Sequence, residues 1–548
     1  MQLPFRAALA AVCLLAASLQ NSVAKDADAN HAFVRVSLSS GVSGNGGGRL
    51  LIFAMPVDGS HEPGRAVKLP DAVDINPIKP MTVKTFVAAR EVGAMDARSS
   101  IDVDLDAMAW PQAFSTLPHG AYAFQAVLDV DRDYAYAGRK APDLLSEVTL
   151  VQVGSGSIPS LRLSQAIPSH DPWLFPAGAP EWLRAAEPEA RANVTEVNFA
   201  SPALSAFWGR RIEMRAMVLV PPGYKEGSSE RYPTIYLTHG YGATVADYPD
   251  AVASIWARMK RGEIPPMIWV LLEESSPTGT HEFADSVNNG PWGSALTTEF
   301  IPHLESTFRM DGKASGRFLT GHSSGGWAAL WVQTHYPSMF GGAWATSPDP
   351  TDFHDFSGVD LYGKQANFYK RSDGSEAPLV RERGEVIWTV RDFARLERVL
   401  GEFGGQMASY EWVFSPKGID GRPQQLFDRD TGAIDPKVLA YWSEHYDIVR
   451  YLQRDWPRLK DQLRGKVHVI VGTEDTFYLD GPAHRLKAVL DELSDGGDVR
   501  FKAGRGHFDL YKEGEDRVAL RSQIAREMYA VARPSFVAPK GVGATAGK

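Results

Sequence analysis

The sequence predicts an α/β protein built on a doubly wound sheet, preceded by a separate all-β domain. Three observations lead to this prediction. The chain has 548 residues, which is more than one ordinary domain contains. Its composition, 44% apolar and 22% charged, is that of a chain that buries a core. Short β-rich runs fill the first part, whereas later apolar runs alternate with helical segments.

The charge pattern argues against two classes of partner. The formal net charge is −9, and no run of five or more Lys and Arg residues occurs. Nucleic-acid and anionic-membrane binders need a basic surface, so we expect neither partner. The 50 Gly and 36 Pro residues follow no period, which excludes a fibrous chain.

The first 24 residues have the features of a cleavable secretory signal, predicted as 1–24. Arg6 precedes an apolar run, and small residues stand at Ser22 and Ala24. The run has about 13 residues, too few to span a bilayer, and no later stretch is long enough. We therefore expect a secreted or periplasmic protein without a membrane span. Cys13, the only cysteine, lies in this segment, so the mature chain is expected to lack disulfides and cysteine nucleophiles.

Residues 31–163 predict the all-β domain. Short runs of β-branched and aromatic residues are separated by turn clusters, and no amphipathic helix interrupts them. This pattern is typical of an immunoglobulin-like sandwich. The predicted strands are Ala32–Leu38, Arg49–Met55, Tyr122–Val130 and Ser146–Val153. The proline-rich residues 164–197 predict a linker.

Residues 198–533 predict the α/β domain. Nearly continuous apolar runs alternate with helical patterns, as expected when helices cover both faces of a parallel sheet. The predicted strands are Pro233–Gly240, Pro266–Glu273, Arg317–Gly321, Phe340–Ser347 and Lys466–Gly472. Pro482–Leu493 predicts an amphipathic helix on this sheet. The alternation stops at 348–464, which predicts a cap-like insertion, and the Gly-rich tail 534–548 is predicted to be disordered.

A candidate nucleophile stands between a predicted strand and a predicted helix. Gly321, Ser323 and Gly325 form a G-x-S-x-G pattern at this junction. In such a turn the serine adopts a strained backbone conformation, and its neighbours have no room for side chains. The helix that follows places free amides and a positive dipole end near the serine. The context therefore predicts Ser323 as the nucleophile of a hydrolase.

A serine hydroxyl needs a base to take its proton. His507 follows the last strand-like run and stands in a Gly-flanked loop, so we predict it as general base and acid. Asp475 follows a buried strand 32 residues earlier and is the predicted partner that orients His507. Glu474 and Asp480 stay open as alternative acids. Asp475 as a helix cap and His507 as a surface histidine also stay open.

The second requirement is a pair of donors for the oxyanion. The amide of Ser324, the residue after the nucleophile, is the first predicted donor. The loop after the first sheet strand supplies the second, from Tyr241 or Gly242. A plain strand-to-helix turn is the alternative interpretation of that loop. His239 precedes it, and we interpret this histidine as a loop anchor rather than a base.

These motifs together resemble one family. The strings THGYG, NNGPWGSALTTEFIPHLESTFR, GHSSGG, VGTEDTFY and GRGHFDLY look like the putative esterase family of α/β-hydrolases, over about residues 200–532. That family includes esterase D, enterochelin, feruloyl and acetyl-xylan esterases, and mycolyl transferases. The resemblance implies an α/β-hydrolase fold, a triad of Ser323, Asp475 and His507, an oxyanion amide on Tyr241, and no cofactor. The insertion is longer than a plain family core needs.

Two further features have structural interpretations. The acidic runs 129–133 and 428–435 have spacing similar to calcium loops but lack the Gly and Glu of helix-loop-helix sites, so we interpret them as turns and expect no metal. Aromatic residues of the second domain either line a substrate pocket or pack in the core. They are Trp292, Trp344, Trp388, Trp412 and Trp442.

The sequence thus predicts a secreted serine hydrolase that cleaves a carboxylic ester through an acyl-enzyme. A small-molecule, carbohydrate or siderophore-type ester is the expected substrate. An acyltransferase or a serine peptidase would use the same triad. A non-catalytic glycan- or partner-binding protein on a hydrolase scaffold is the alternative of another class.

Overall fold

A computed structural model describes residues 31–42, 47–57, 85–96, 100–132, 140–401, 405–494 and 496–535. The chain divides into two compact units, with the boundary between Ser169 and His170. The predicted signal 1–24 and most of the predicted tail 534–548 lie outside the described residues.

The first unit is a sheet of nine strands. They are β1 (Phe33–Leu38), β2 (Gly48–Pro56), β3 (Phe86–Val92), β4 (Ser100–Asp104), β5 (Ala109–Trp110), β6 (Gly120–Asp129), β7 (Leu144–Ser146), β8 (Thr149–Val153) and β9 (Ser160–Ala166). Their order is β4-β1-β9-β7-β6-β2-β3-β5, with β8 also on β6. The β1–β9 pair is parallel and the others are antiparallel. The immunoglobulin-like assignment stays a prediction.

Alternation explains the core of this first unit. Along β1, Val34, Val36 and Leu38 are buried, while the residues between them are more exposed. Side chains in a strand point alternately to opposite faces, so these three lie on one face. They join Leu50 and Phe124 in one apolar cluster.

The second unit contains an eight-stranded sheet and three short β-pairs. Its strands are β10 (Val194–Ala200), β11 (Glu213–Leu219), β12 (Thr234–Thr238), β13 (Ile268–Leu272), β14 (Ser275–Ser276), β15 (Gly279–Thr280), β16 (Asp285–Ser286), β17 (Gly290–Pro291), β18 (Arg317–His322), β19 (Gly342–Thr346), β20 (Pro378–Glu382), β21 (Glu385–Thr389), β22 (Val467–Gly472) and β23 (Asp498–Lys502). The sheet order is β10-β11-β13-β12-β18-β19-β22-β23. From β13 onward all neighbours are parallel, while β10 and β11 form an antiparallel edge.

The described residues of the second unit also form α-helices. They are α1 (Glu181–Ala192), α2 (Pro202–Trp208), α3 (Pro249–Lys260), α4 (Trp292–Ala295), α5 (Ile301–Thr307), α6 (Ser324–His335), α7 (Val390–Leu400), α8 (Gln406–Phe414), α9 (Pro436–His445), α10 (Ile448–Leu463), α11 (Asp480–Glu492) and α12 (Ala519–Ala532). Helices α3 and α12 pack in one apolar cluster with the sheet. Helix α6 packs against β18 and β19. No helix in the described part of the chain is both long and apolar enough to cross a membrane.

The apolar runs formed strands because both of their faces are covered. All five residues of β13 are buried, and β18 is buried from Phe318 to Gly321. Helix α11 begins at Asp480, two residues before the predicted start. The doubly wound α/β domain is thus present, with the site-bearing loops at the carboxyl ends of β12, β18, β22 and β23, where α/β proteins bind ligands.

One segment differs from the sequence analysis, and a second, the predicted insertion, has secondary structure of its own. The predicted linker 164–197 contains helix α1, which packs against α3, and Trp256 Nε1 donates to Glu189 across this contact. Residues 348–464 contain the β20–β21 hairpin and helices α7 to α10. We predicted a linker for residues 164–197 because the segment is rich in proline, a residue that disfavours helix interiors. One of these prolines, Pro188, nevertheless lies inside helix α1.

Candidate active site

Ser323 stands in a strained turn between β18 and α6. Its backbone angles are φ 61° and ψ −128°, a region that few non-glycine residues adopt. A Cβ on Gly321 would collide with Gly325 O and Thr238 Oγ1, and a Cβ on Gly325 would collide with His239 O. The packing therefore requires both glycines of the G-x-S-x-G pattern and presents Ser323 at the tip of the turn.

Two backbone segments meet at Ser323. Ser324 begins α6, so its amide is among the first four that have no acceptor within the helix. Gly240 lies so close that a Cβ there would stand 3.3 Å from Ser323 Cβ. Tyr241 follows Gly240 and lines the same pocket as Ser323. The two predicted oxyanion positions, Tyr241 and Ser324, thus border the serine, and Gly242 takes a positive φ of 80° that turns this loop.

His507 and Asp475 form a buried pair. His507 Nδ1 and Asp475 Oδ2 are 3.0 Å apart, with 3% and 0% of the two side chains exposed. Burial favours the neutral carboxyl, but the charge and hydrogen bond of His507 lower the pKa of Asp475 overall. Because Nδ1 faces Asp475, Nε2 is left for another partner. Of the open alternatives, Glu474 is exposed, and Asp480 accepts from Arg381 Nη2 at 2.7 Å.

His322 lies against His507. The two ring centroids are 4.3 Å apart, and Phe477 meets His507 edge-on at 4.8 Å. Burial, followed by the charge of His507, lowers the pKa of His322 to about 3. His322 is therefore neutral, and its ring packs against that of His507.

Ser323, His507 and Tyr241 line one pocket of about 140 Å³. Its walls are largely apolar. They include residues from the predicted insertion and from the loops after β22 and β23, namely Phe356, Phe368, Leu379, Val390, Met407, Phe477, Leu479 and Phe508. Asp349, Ser357, Gln406 and Tyr410 add polar groups. A few polar groups in an apolar cleft are the usual composition of a ligand site.

Asp349 is a site residue that the sequence analysis missed. Its carboxyl is 3% exposed and contacts Ser323 Oγ at 3.4 Å, Ser324 Oγ at 2.7 Å and Tyr410 OH at 2.8 Å. One signal was available: Asp349 follows β19, the strand beside β18, as Asp475 follows β22. An acid in that position lies at the same sheet edge as Ser323.

His239 anchors its loop. Its Nδ1 lies 2.9 Å from Gly240 O and its Nε2 lies 2.9 Å from Glu273 Oε1. Burial opposes the charged ring, but the hydrogen bond to Glu273 and the nearby carboxylates raise the pKa of His239 overall. These contacts hold the loop that carries Tyr241 and agree with the anchor interpretation.

The tryptophans lie elsewhere. None of the five named above lines the pocket that contains Ser323, among the residues that the structure describes. Trp292 stacks on His281 with centroids 3.6 Å apart, and Trp442 Nε1 donates to Ser415 Oγ at 2.8 Å. Trp412 lines a separate cavity of about 310 Å³, together with Arg422. Trp292 and Trp442 thus serve packing.

Two groups in the first unit have ligand atoms within 4.8 Å of one another: His31, Asp104 and Asp106, and Asp129, Asp131 and Asp143. Acidic clusters of this kind are common without an ion.

In the second acidic run, Asp428 Oδ1 accepts from Asp430 N at 3.1 Å and Thr431 N at 2.7 Å, as in a turn. Asp435 instead caps α9 through Lys437 N.

Comparison with known families decides the class. Residues 210–529 match the family described as "Putative esterase", which is more than half of the chain. The chain belongs to the putative esterase family. The family predicted from the motifs is thus confirmed, and this esterase is a carboxylic ester hydrolase.

Relatives of this esterase are distant. A curated "Endo-1,4-beta-xylanase/feruloyl esterase" of Xylanibacter ruminicola is 26% identical over 155 residues, which cover 27% of this chain. The match spans only 20% of that protein. Among solved structures, a ferulic acid esterase is 17% identical with a TM-score of 0.38, over 62% of this chain and 97% of the other. An S-formylglutathione hydrolase from Agrobacterium tumefaciens is 14% identical with a TM-score of 0.34, over 62% and 94%.

Proposed function

We propose that this esterase is a secreted serine hydrolase that works through a triad of Ser323, His507 and Asp475. One observation carries the proposal: a serine on a strained turn shares a pocket with a histidine whose other nitrogen faces a buried carboxylate. A nucleophile, a base and an acid that orients the base require this arrangement.

In the first half-reaction, Ser323 Oγ attacks the ester carbonyl carbon. The hydroxyl proton passes to His507 Nε2, and the carbonyl electron pair moves to the oxygen. The bond to the alcohol oxygen then breaks, and that oxygen takes the proton from Nε2. Asp475 holds the ring with Nε2 toward the serine and stabilises the imidazolium.

In the second half-reaction, water repeats these steps on the acyl-enzyme. His507 Nε2 takes a proton from water as its oxygen bonds to the carbonyl carbon. Collapse breaks the bond to Ser323 Oγ, which recovers its proton, and the free acid leaves. The amides of Ser324 and Tyr241 stabilise the oxyanion in both halves, an effect worth about 3 to 4 kcal/mol for one donor.

The pocket favours a substrate with a planar aromatic acyl group. Four phenylalanines line it, and aromatic rings pack well against one another. A curated relative carries feruloyl esterase in its name. We therefore propose a hydroxycinnamoyl ester of a carbohydrate as the substrate class. The secretory signal predicted at 1–24 supports action on such a substrate in the periplasm or outside the cell.

Labelling with a fluorophosphonate tests the nucleophile. We expect the intact protein to be labelled on Ser323 in one-to-one ratio, and a folded Ser323→Ala protein to remain unlabelled. Release of ferulate from methyl ferulate, compared with release of acetate from an aryl acetate, tests the acyl group. Labelling elsewhere would overturn the triad, and a clear preference for acetate would overturn the aromatic substrate class.

A further inference from the structure

Asp349 binds the nucleophile turn from several directions. Ser323 Oγ donates to its Oδ1 at 3.4 Å, while the hydroxyls of Ser324 and Tyr410 donate to its Oδ2 at 2.7 and 2.8 Å. Its backbone N donates to Ser323 O at 3.3 Å. The carboxyl therefore connects the turn with helix α8, which forms part of the pocket wall.

The two hydroxyl donors fix the carboxyl. A buried carboxylate needs partners for its oxygens, and Oδ2 has two short ones. This arrangement leaves Oδ1 directed at Ser323. A serine hydroxyl otherwise rotates among staggered positions, so a fixed acceptor at one side selects one of them. In the described structure, Ser323 Oγ donates a hydrogen bond to Asp349.

The charges around Asp349 come from several elements. Burial raises the pKa of Asp349 overall, although the hydrogen bonds from Ser324 and Tyr410 and the charge of His507 act in the opposite direction. Glu274 and Glu282, which follow β13, are neutral neighbours because burial raises the pKa of Glu274 to about 8 and that of Glu282 well above its usual range. Burial also raises the pKa of Tyr410, so its hydroxyl keeps its proton.

We propose that Asp349 is a positioning residue that holds the Ser323 hydroxyl in the orientation from which it attacks the ester. This inference rests on the proposed function and goes beyond it, since Asp349 belongs to neither the triad nor the oxyanion donors. The serine has one proton, which the ionised carboxyl engages at rest. When the ester binds, that proton passes to His507 Nε2, and Asp349 adds its negative charge to the stabilisation of the imidazolium.

Asp349→Asn tests the proposal because the amide keeps the shape of the carboxyl. We expect kcat for a small aryl ester to fall by about 10- to 100-fold, the scale of a misplaced reacting group, with little change in KM. Fluorophosphonate labelling of Ser323 is expected to slow by a similar factor. An unchanged kcat in the folded variant would overturn the proposal, as would a loss confined to KM.

The pH dependence gives a readout that a purely structural role would not move. Asp349 must be ionised to hold the Ser323 hydroxyl, so its protonation should add one unit to the limiting slope with which log kcat/KM of the native protein falls toward low pH. Asp349→Asn should reduce this limiting slope by one unit. Glu274→Gln is the matched control and should keep the native slope, because Glu274 is neutral throughout this range. An equal limiting slope in the native protein and in Asp349→Asn would overturn the proposal.

These results are distinct from a failure of the proposed function. If Ser323→Ala keeps full activity, the nucleophile is wrong, and the positioning role of Asp349 is overturned together with the proposed function. If Ser323→Ala is inactive while Asp349→Asn equals the native protein, the triad stands and the positioning role is refuted. Circular dichroism and thermal unfolding of each variant establish that it is folded.

Discussion

The loops at the sheet edge and the predicted insertion contribute differently to the pocket. The loops carry Ser323, Asp475 and His507, which follow β18, β22 and β23 of one parallel sheet. The insertion, 348–464, contributes mainly apolar wall residues, such as Leu379 and Met407. We therefore expect reactivity to depend on the loops and on Asp349, which lies at the start of the insertion. We expect substrate preference to depend on the apolar wall residues of the insertion.

The largest effect should come from the loops. Ser323→Ala and His507→Ala are each expected to lower ester turnover by about 10⁶-fold, because triad members act as a unit. Steady-state kinetics with an aryl ester measures this loss, which we expect for substrates of every size. A folded His507→Ala protein that kept a tenth of the native activity would show that another group is the base.

A second change distinguishes the neighbouring acids. Asp475→Asn should lower kcat by about 10⁴-fold, since the amide favours the wrong tautomer of the imidazole. Glu474→Gln should have little effect, because Glu474 is exposed. Kinetics of the two variants side by side provide the matched comparison. The opposite ranking would move the acid to Glu474.

A smaller, selective effect should come from the insertion. Leu379→Trp narrows the pocket from β20, so kcat/KM for methyl ferulate should fall about tenfold while that for an aryl acetate changes little. Trp412→Ala is the control, because Trp412 lines a separate cavity. Competition between the two esters in one assay measures the ratio. Equal losses on both substrates would contradict the expected difference between the insertion and the loops.

The smallest effect should come from the first unit. Its residues form a core of their own, so we expect a chain that begins at Pro168 to fold and to keep most of its activity on a small aryl ester. Kinetics after a check of thermal unfolding measures this. Complete loss of activity in a folded short chain would assign part of the chemistry to the first unit.

The sequence predicted the loops better than the wall. Strand, turn and glycine spacing place Ser323 at a sheet edge, and the same logic selects Asp475 and His507 after later strands. Asp349 also follows such a strand, but its importance depends on Tyr410, more than 60 residues away in α8, with an approach that no local pattern encodes. The pocket wall also depends on packing between residues that are far apart in the sequence. For this reason the sequence could not show that Trp412 lines a separate cavity.

The antiparallel edge of the sheet was missed for a related reason. β10 has no fully buried residue, and its sequence VTEVNFA lacks the continuous apolar run that identified the central strands. Edge strands are covered less completely, so weaker apolar patterns suffice for them. Helix α1 was missed because its prolines suggest a linker.

The strained backbone conformation of Ser323 lowers folding stability, whereas the proposed activity needs a serine at this position. A non-glycine residue at such a φ costs of order 1 to 3 kcal/mol, which the surrounding packing must offset. A glycine there would relieve the strain and remove the proposed nucleophile in one step. Selection of this chain for heat resistance alone would therefore favour inactive variants, and any screen for a hardier enzyme has to score turnover together with melting temperature.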